Sequence, residues 1–342
     1  MDLPELSSLT TLRVGGRARA YVEAADADQL VEVVARADDD GEPLLLVAGG
    51  SNLLVADDGF AGTVVRVLGD GVTIESDDAC GGVSLRVAAG HSWDALVERA
   101  VAEGWTGIEA LSGIPGSVGA TPVQNVGAYG QEVAQTVASV RTWDRRERRV
   151  RTLAVSECGF GYRTSRFKAD RDSFVVLDVL FQLRAGDLGA PVRYSELARA
   201  LGVEVGERAP LGDVREAVLA LRRRKGMVLD DADHDTWSAG SFFTNPVVPD
   251  AKALPDGAPA WPVEGGGAKS SAAWLIEHAG FARGHGMPGP AALSTKHALA
   301  VTNRGGATAA DLIALAREVR DGVAHATGVV LENEPLLVGC SL

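Results

Sequence analysis

The strongest constraint on the fold is a glycine-rich stretch at residues 111–133, where five glycines fall within 23 residues. Glycine loses more conformational freedom on folding than any other residue, so a soluble protein concentrates it where φ must be positive or a ligand must come close. A second such segment lies at residues 44–52, where an apolar strand pattern runs into Gly-Gly-Ser-Asn. Backbone N–H groups in such turns can hold phosphate oxygens. The two segments together favour a nucleotide-like cofactor.

Neither segment has a standard nucleotide-binding fingerprint. No Gly-Lys-Ser/Thr follows the glycines, and no Gly-x-Gly-x-x-Gly lies between a strand and a helix. Each segment alone is equally consistent with a plain turn-rich connection.

Charge limits the class of partner. Lysine and arginine number 33 against 46 aspartates and glutamates, a net charge of −13. This balance disfavours non-specific binding to nucleic acid or to anionic membranes. A polyanionic ligand would need basic residues gathered locally, as they are at residues 222–225 (Arg-Arg-Arg-Lys). We therefore expect a small-molecule partner, with neither nucleic acid nor membrane.

Cysteine usage and the N-terminal sequence indicate a cytoplasmic protein. Cys80, Cys158 and Cys340 are odd in number and widely spaced, which argues against a disulfide framework or a zinc site. The N-terminus lacks a basic region followed by an apolar one, and no apolar run approaches the ~20 residues that span a bilayer. No metal is expected, because no His/Cys/Asp cluster has ligand spacing.

Helix and strand patterns alternate without a regular β-α-β period, which favours an α+β fold over a doubly wound sheet. Asp26, Ser92 and Thr308 are predicted N-caps of amphipathic helices. A capping box of Asp213 and Glu216 predicts a further helix that leads into the basic cluster.

The chain is long enough for two or three domains. We predict a first lobe at residues 1–70, a second lobe at 71–205 and a C-terminal domain at 206–342, with the last strand a candidate to return to the preceding domain. The Pro/Gly/Ala-rich residues 249–267 are predicted to form a surface excursion.

Four short segments combine turn-forming residues with groups that can do chemistry. Taken singly, Arg163 is consistent with a surface arginine, Ser241 with a turn hydroxyl and His297 with a structural role. Glu334 is harder to assign to structure alone, because a carboxylate in an apolar run needs a partner or a raised pKa. The segments are residues 161–168, 239–246, 294–298 and 331–335.

Five motifs follow one another along the chain between about residue 9 and residue 338. They are Val-Ala-Gly-Gly-Ser-Asn-Leu-Leu at 47–54, Gly-Ile-Pro-Gly-Ser-Val-Gly at 113–119 with Pro-Val-Gln-Asn-Val-Gly-Ala-Tyr-Gly at 122–130, Tyr-Arg-x-Ser-x-Phe-Lys at 162–168, Gly-Ser-Phe-Phe-Thr-Asn-Pro at 240–246, and Leu-Glu-Asn-Glu at 331–334. As a set they closely resemble the UDP-N-acetylenolpyruvoylglucosamine reductase (MurB) family of peptidoglycan synthesis.

The resemblance implies an α+β flavoenzyme. It would have a two-lobed FAD-binding domain of the vanillyl-alcohol-oxidase (PCMH) type and a C-terminal α+β substrate-binding domain. FAD would be bound non-covalently, and NADPH would reduce it at the site that also takes the substrate. The implied FAD-binding residues are Ala48, Gly49, Gly50, Ser51, Asn52, Gly113, Pro115, Gly116, Ser117, Gly119, Asn125 and Gly127.

The resemblance also implies roles for residues outside the glycine-rich segments. Arg163, Ser241 and Glu334 match catalytic positions of the family. The sequence departs from the family at two positions, since Thr244 stands where many relatives have Lys and His297 where some have Gln. The residues that match substrate-binding positions are Tyr194, Arg222, Lys225, Asn245 and His297, with Tyr194 as the tyrosine that closes over the uridine diphosphate in the subgroup with an extra loop.

The implied activity is NADPH-dependent, FAD-mediated reduction of UDP-N-acetylglucosamine enolpyruvate to UDP-N-acetylmuramate, by a protein expected to be monomeric. Two alternatives stay open at this point. A hydroxy-acid or alcohol oxidase on the same flavin fold would lack the basic patch for a nucleotide diphosphate. A nucleotide-sugar or flavin-binding module would bind without turnover.

Overall fold

The computed structural model describes residues 3–78, 82–263 and 266–342. Cys80 lies outside these ranges, whereas Cys158 is buried and Cys340 is partly buried, both as free thiols. Among the described residues, no helix is long and apolar enough to cross a membrane.

Helices and strands are mixed along the described chain. The helices are α1 (Ala27–Asp39), α2 (Trp93–Ala102), α3 (Thr121–Gln124), α4 (Arg166–Ala169), α5 (Ser195–Leu201), α6 (Leu211–Arg224), α7 (Ala272–His278) and α8 (Ala309–Thr327). The strands are β1 (Ala18–Ala24), β2 (Leu44–Val47), β3 (Leu53–Val55), β4 (Phe60–Val67), β5 (Val72–Asp78), β6 (Gly82–Ala88), β7 (Trp105–Thr106), β8 (Gly127–Ala128), β9 (Gln131–Glu132), β10 (Val137–Asp144), β11 (Arg149–Ala154), β12 (Phe174–Ala185), β13 (Val247–Val248), β14 (Ala260–Pro262), β15 (Ala268–Ser270), β16 (Ala291–Leu293), β17 (Val301–Asn303) and β18 (Leu336–Val338).

Local side-chain chemistry starts the principal helices. Asp26, Ser92 and Thr308 each accept a hydrogen bond from the backbone N–H three residues further on, so the three predicted N-caps of α1, α2 and α8 are confirmed. The predicted capping box of Asp213 and Glu216 is wrong, because α6 already begins at Leu211 and Asp213 lies within its first turn. An acidic residue in the first turn of a helix is also favoured by the helix dipole. An aspartate near the start of a helix can therefore be either an N-cap or, like Asp213, a residue of the first turn.

The chain forms two compact units, and neither is continuous in sequence. The first unit contains residues 1–18, 50–61 and 224–342, and the second contains residues 19–49 and 62–223. This division differs from three consecutive segments, because the short strand β3 pairs with the terminal strand β18 inside the first unit.

The second unit is built around an antiparallel sheet in the order β11-β10-β12-β6-β5, with β7 also on β12. Helix α2 packs on this sheet through a large apolar core, in which Trp93 and Phe181 are fully buried with ring centroids 6.0 Å apart. The parallel pair β2 and β4 forms a further sheet with β1, covered by Leu30 and Val34 of α1. Strand β2 ends at Val47, one residue before the Gly-Gly-Ser-Asn turn.

The core of the first unit lies beneath α7 and α8. It buries Phe242 and Phe243 together with Leu54 of β3 and Leu312 of α8. The predicted excursion at 249–267 contains β14, which pairs with β15 in a small antiparallel sheet. This core therefore supports the segment on either side of Ser241.

Candidate active site

The two predicted cofactor segments touch where Gly49 meets Gly116 in the second unit. A Cβ atom on Gly49 would lie 2.5 Å from the Gly116 Cα, and Gly116 has a φ of 120°. No side chain fits at that separation, and a φ in this region is rarely adopted by other residues. Main-chain groups from both segments are thereby brought within reach of one ligand.

Ser117 carries an unused hydroxyl group beside this contact. The residue is only 4% exposed, and its Oγ has no hydrogen-bond partner within the part of the chain that the structure describes. A buried hydroxyl without a partner is destabilising, so a ligand that hydrogen-bonds it would stabilise the site. The residues present fit the phosphate-bearing part of FAD.

Asp94 supports the glycine-rich loop, a contact that the sequence did not reveal. Its Oδ1 accepts hydrogen bonds from the Gly113 N–H at 2.6 Å and from Arg215 Nη1 at 2.7 Å. Burial acts to raise the pKa of Asp94, but the bonds from Arg215 and Gly113 outweigh it and hold this pKa below its ordinary value. The charged carboxylate therefore joins the loop to helix α6. In the sequence Asp94 was only a residue in the first turn of a predicted helix.

Gly119 has a structural reason to lack a side chain. Its Cβ would lie 2.5 Å from the Cβ of Ala89, and its N–H donates to the Ala89 carbonyl at 2.8 Å. Its proposed contact with FAD therefore adds to a packing requirement. Pro115 lies between two single helical turns, Glu109–Leu111 and Val118–Ala120, which flank this loop. Ala48 and Ser51 lie in the turn between β2 and β3.

Asn125 uses its side chain within the protein. Its Nδ2 donates to Glu132 Oε2 and to the Gly161 carbonyl, both at 2.9 Å, and its Oδ1 accepts from the Ala134 N–H at 3.2 Å. The residue is 1% exposed and adopts a left-handed conformation at the end of α3. Asn125 thus ties the glycine-rich stretch to the segment that carries Arg163, and its contact with FAD stays a prediction.

Arg163 points back to the same stretch. Its Nη2 donates to the Gly127 carbonyl at 2.7 Å, and its guanidinium carbon lies 5.5 Å from the centre of the Tyr162 ring. The side chain is partly buried. A guanidinium group is permanently charged and has five N–H donors in a planar fork, so its chemistry suits an anionic ligand.

The other two predicted catalytic residues lie in the first unit, where their segments meet. The Glu334 N–H donates to the carbonyl of Phe242, the neighbour of Ser241, at 2.8 Å. Asn52 Nδ2 reaches the Glu334 carbonyl at 3.5 Å. The structure thereby brings together three of the five motifs. Gly240, with a φ of 72°, allows the tight backbone before Ser241.

Tyr194 and Arg222 lie in the second unit. Tyr194 is 48% exposed, and its ring packs edge-on against Tyr129 with centroids 5.6 Å apart. Burial, with the nearby charge of Glu196, raises the pKa of the Tyr194 phenol. Burial also lowers the pKa of Arg222 to about 10, against the opposing influence of Tyr129 and Asp94. Arg222 therefore remains a cation at neutral pH.

The remaining predicted substrate residues belong to the first unit. Lys225 lies in the turn directly after α6, and Asn245 Oδ1 accepts the Ala272 N–H at 3.0 Å at the start of α7. The His297 N–H donates to Ser294 Oγ at 3.2 Å in the turn between β16 and β17. Thr244, a departure from many relatives, donates its N–H to the Glu332 carbonyl at 3.0 Å. No group of three or more potential metal ligands occurs among the residues that the structure describes.

Comparisons with known proteins agree with this arrangement. A family model described as "FAD binding domain" matches residues 18–153, and one described as "UDP-N-acetylenolpyruvoylglucosamine reductase, C-terminal domain" matches residues 231–338. A UDP-N-acetylenolpyruvoylglucosamine reductase from Cutibacterium acnes is 55% identical over 100% of this chain and 90% of its own length. The chain belongs to the UDP-N-acetylenolpyruvoylglucosamine reductase family. The predicted family is therefore confirmed.

Two further relatives also match nearly the whole chain. The reductase from Thermobifida fusca is 54% identical over 98% of this chain and 97% of its own length. The reductase from Thermus caldophilus, which has a crystal structure, is 26% identical to this chain in sequence. The two structures match with a TM-score of 0.66, and the match covers 98% of each chain. The predicted α+β architecture, an FAD-binding domain followed by the family's C-terminal domain, is confirmed.

Proposed function

We propose that this protein catalyses the NADPH-dependent, FAD-mediated reduction of UDP-N-acetylglucosamine enolpyruvate to UDP-N-acetylmuramate, a step of peptidoglycan precursor synthesis. The observation that carries the proposal is identity above 50% to several named reductases along essentially the whole chain. An oxidase on the same fold has no comparable support. A binding module without turnover is not favoured either, because these relatives are named as reductases.

FAD would be held by the two glycine-rich segments. The contact of Gly49 with Gly116 and the unused Ser117 hydroxyl support this assignment. FAD, when bound, supplies a hydride carrier between NADPH and the substrate. Neither glycine-rich segment contains a His or Cys that could anchor it, so we expect binding to be non-covalent.

Arg163 would bind the carboxylate of the enolpyruvyl group. Addition of hydride to the terminal carbon of the C=C bond places negative charge on C2 and on this carboxylate. A permanently protonated guanidinium, already held on the Gly127 carbonyl, can stabilise that charge with two parallel hydrogen bonds.

Ser241 would donate its hydroxyl proton to C2. Its neighbour Phe242 is fixed by two backbone hydrogen bonds, because the Phe242 N–H donates to the Leu299 carbonyl at 2.7 Å and the Phe242 carbonyl accepts the Glu334 N–H. The Glu334 carboxylate would orient or polarise the neighbouring groups, which makes it a candidate to assist the proton transfer.

The uridine diphosphate would be bound by cationic and polar residues away from the reacting carbon. Tyr194 would close over this part of the substrate, and its exposed ring is suited to stack on a ligand. We expect a monomeric cytoplasmic enzyme that needs no metal. The other residues in this group would be Arg222, Lys225, Asn245 and His297.

The test separates the two half-reactions with one substitution. Hydride transfer from NADPH to the flavin needs no proton from Ser241, whereas reduction of the substrate does. In Ser241→Ala we therefore expect normal bleaching of the flavin by NADPH and reoxidation by substrate slowed by at least ~10²-fold. Stopped-flow absorbance of the flavin band measures both steps.

Ser241→Cys is the matched variant, because a thiol can also donate a proton. It should recover part of the reoxidation rate. Reoxidation of the alanine variant at the rate of the unmodified enzyme would exclude Ser241 as the proton donor. The next candidate would then be Glu334 or a water molecule that it holds.

A further inference from the structure

The backbone of Arg163 is in an unusual conformation. Its φ is 52°, in the left-handed region that residues with a side chain seldom adopt. Such a conformation persists only where its surroundings enforce it, and it is concentrated at functional sites. Groups around Arg163 must therefore hold its backbone in this conformation.

Lys168 holds the carbonyl of this strained residue. The Lys168 ammonium donates to the Arg163 carbonyl at 2.9 Å. Lys168 is itself fixed, because its N–H donates to Ser165 Oγ at 3.2 Å and the Ser165 hydroxyl donates to the Val123 carbonyl at 2.8 Å. The short helix α4 is thereby attached to the glycine-rich stretch, with its lysine on the carbonyl of Arg163.

The turn that contains Arg163 is closed from its other side as well. The N–H groups of Gly161 and Thr164 each donate to the carbonyl of the other residue, at 3.0 and 3.3 Å. The Gly161 carbonyl also accepts the bond from Asn125 Nδ2. The peptide after Arg163 is thus held at both of its polar groups, because its N–H, on Thr164, donates to Gly161 and its carbonyl, on Arg163, accepts from Lys168. Loss of the Lys168 contact would loosen the carbonyl side of this peptide while the Gly161–Thr164 pair stays in place.

We propose that Lys168 is a positioning residue for Arg163. By holding the carbonyl, it keeps Arg163 in the left-handed conformation from which the guanidinium reaches the Gly127 carbonyl. Without this bond the backbone of Arg163 is held less tightly, which lets the guanidinium move away from that carbonyl. The inference rests on the proposed function, in which Arg163 binds the substrate carboxylate.

The experiment compares Lys168→Met with the unmodified holoenzyme in both half-reactions. Methionine keeps the length of the side chain and removes the donor. A hydrogen bond that involves a charged group changes an equilibrium by about tenfold or more, so reoxidation by the enolpyruvyl substrate should slow about tenfold. Reduction by NADPH and the FAD content should stay within about twofold.

A double-mutant cycle distinguishes positioning from a general structural role. If Lys168 acts through Arg163, then Lys168→Met should cause no further loss in an Arg163→Ala background. Lys168→Arg, which retains charged donors, should restore most of the rate. Arg166→Met is the matched control, because Arg166 has an exposed side chain on the same helix and should leave both half-reactions unchanged.

Several results would overturn the inference. They are equal slowing of both half-reactions in Lys168→Met, additive losses in the double variant, or reoxidation at the rate of the unmodified enzyme. If Lys168→Met does not fold, Lys168→Gln, which keeps a neutral donor, takes its place with a smaller expected loss in the same half-reaction. If the unmodified enzyme is not reoxidised by substrate, the proposed function itself fails and the inference falls with it. If Arg163→Ala is fully active, the proposed function stands, but the role given to Arg163 fails and the inference falls with that role.

Discussion

Single residues decide how closely the backbone can approach a ligand. At Gly49 the atom that a side chain would meet is a Cα of Gly116, and a main-chain atom cannot be moved aside like the end of a flexible side chain. The neighbouring Ser117 offers a buried hydroxyl at the same place. A close approach of two backbone segments and an unused buried hydroxyl therefore coincide at one point of the glycine-rich loop.

Gly49→Ala should weaken FAD binding by at least about tenfold, because the added Cβ forces the two segments apart. The measurement is the ratio of flavin to protein absorbance after dialysis. Gly212→Ala is the control, since a Cβ there has open space and lies in helix α6. It should retain FAD and gain up to ~1 kcal/mol of stability. Equal retention of FAD by both variants would contradict the steric argument.

The sequence predicts the residues of the site, and their roles stay predictions, but it did not reveal the contacts that hold the segments. The order of the motifs along the chain indicated Arg163, Ser241 and Glu334 as candidate catalytic residues, because the chemistry of each side chain follows from its residue type. The hydrogen bonds that the Gly113 N–H donates to Asp94 and that Asn125 Nδ2 donates to the Gly161 carbonyl join residues that are far apart in sequence. Such contacts depend on the folded chain and carry no local pattern.

At the scale of whole elements, helix α8 shows how a distant side chain can complete a helix terminus. The Asp57 carboxylate accepts the N–H groups of Ala309 and Ala310 at 2.7 and 3.0 Å. The local capping box of Thr308 and Asp311 satisfies other groups of the first turn. The start of α8 therefore combines local and long-range acceptors.

Asp57→Ala should lower the free energy of unfolding by about 1–2 kcal/mol, because two N–H groups at the positive end of the helix dipole lose a charged acceptor. Urea unfolding of the purified protein measures the change. Asp58→Ala, the exposed neighbour, should have little effect. A similar loss in the two variants would show that the contact with α8 contributes nothing specific.

Helix caps were predicted better than the pairing of strands that are distant in sequence. The caps at Asp26, Ser92 and Thr308 were found because a cap is decided within four residues. The pairing of β3 with β18 was not, because each strand has three residues and they lie at opposite ends of the chain. Long-range pairing is chosen by the whole fold, so the sequence named the last strand as a candidate to return to the preceding domain but did not identify its partner strand.

Across the whole molecule, several carboxylates are held in the charged form. The pKa values of Asp94, Asp144, Asp235 and Asp311 are all lowered. Burial acts to raise the pKa of Asp235, but hydrogen bonds from Thr295 and the charge of Arg304 outweigh it. A group with a lowered folded pKa stabilises the protein above its unfolded pKa, and this stability is lost as the pH falls towards the folded value.

Asp235 provides the sharpest test, because it is 3% exposed and accepts bonds from Thr295 N at 2.9 Å and Arg304 Nη1 at 2.8 Å. Asp235→Asn should reduce stability at neutral pH, since the amide cannot replace a charged acceptor. The difference from the unmodified protein should shrink as the pH falls below the ordinary aspartate pKa of about 3.9, where the carboxyl in the unfolded chain becomes protonated. Urea unfolding between about pH 7 and about pH 3 measures this convergence. A difference that stays constant, or grows on acidification, would mean that the charge of Asp235 does not stabilise the fold.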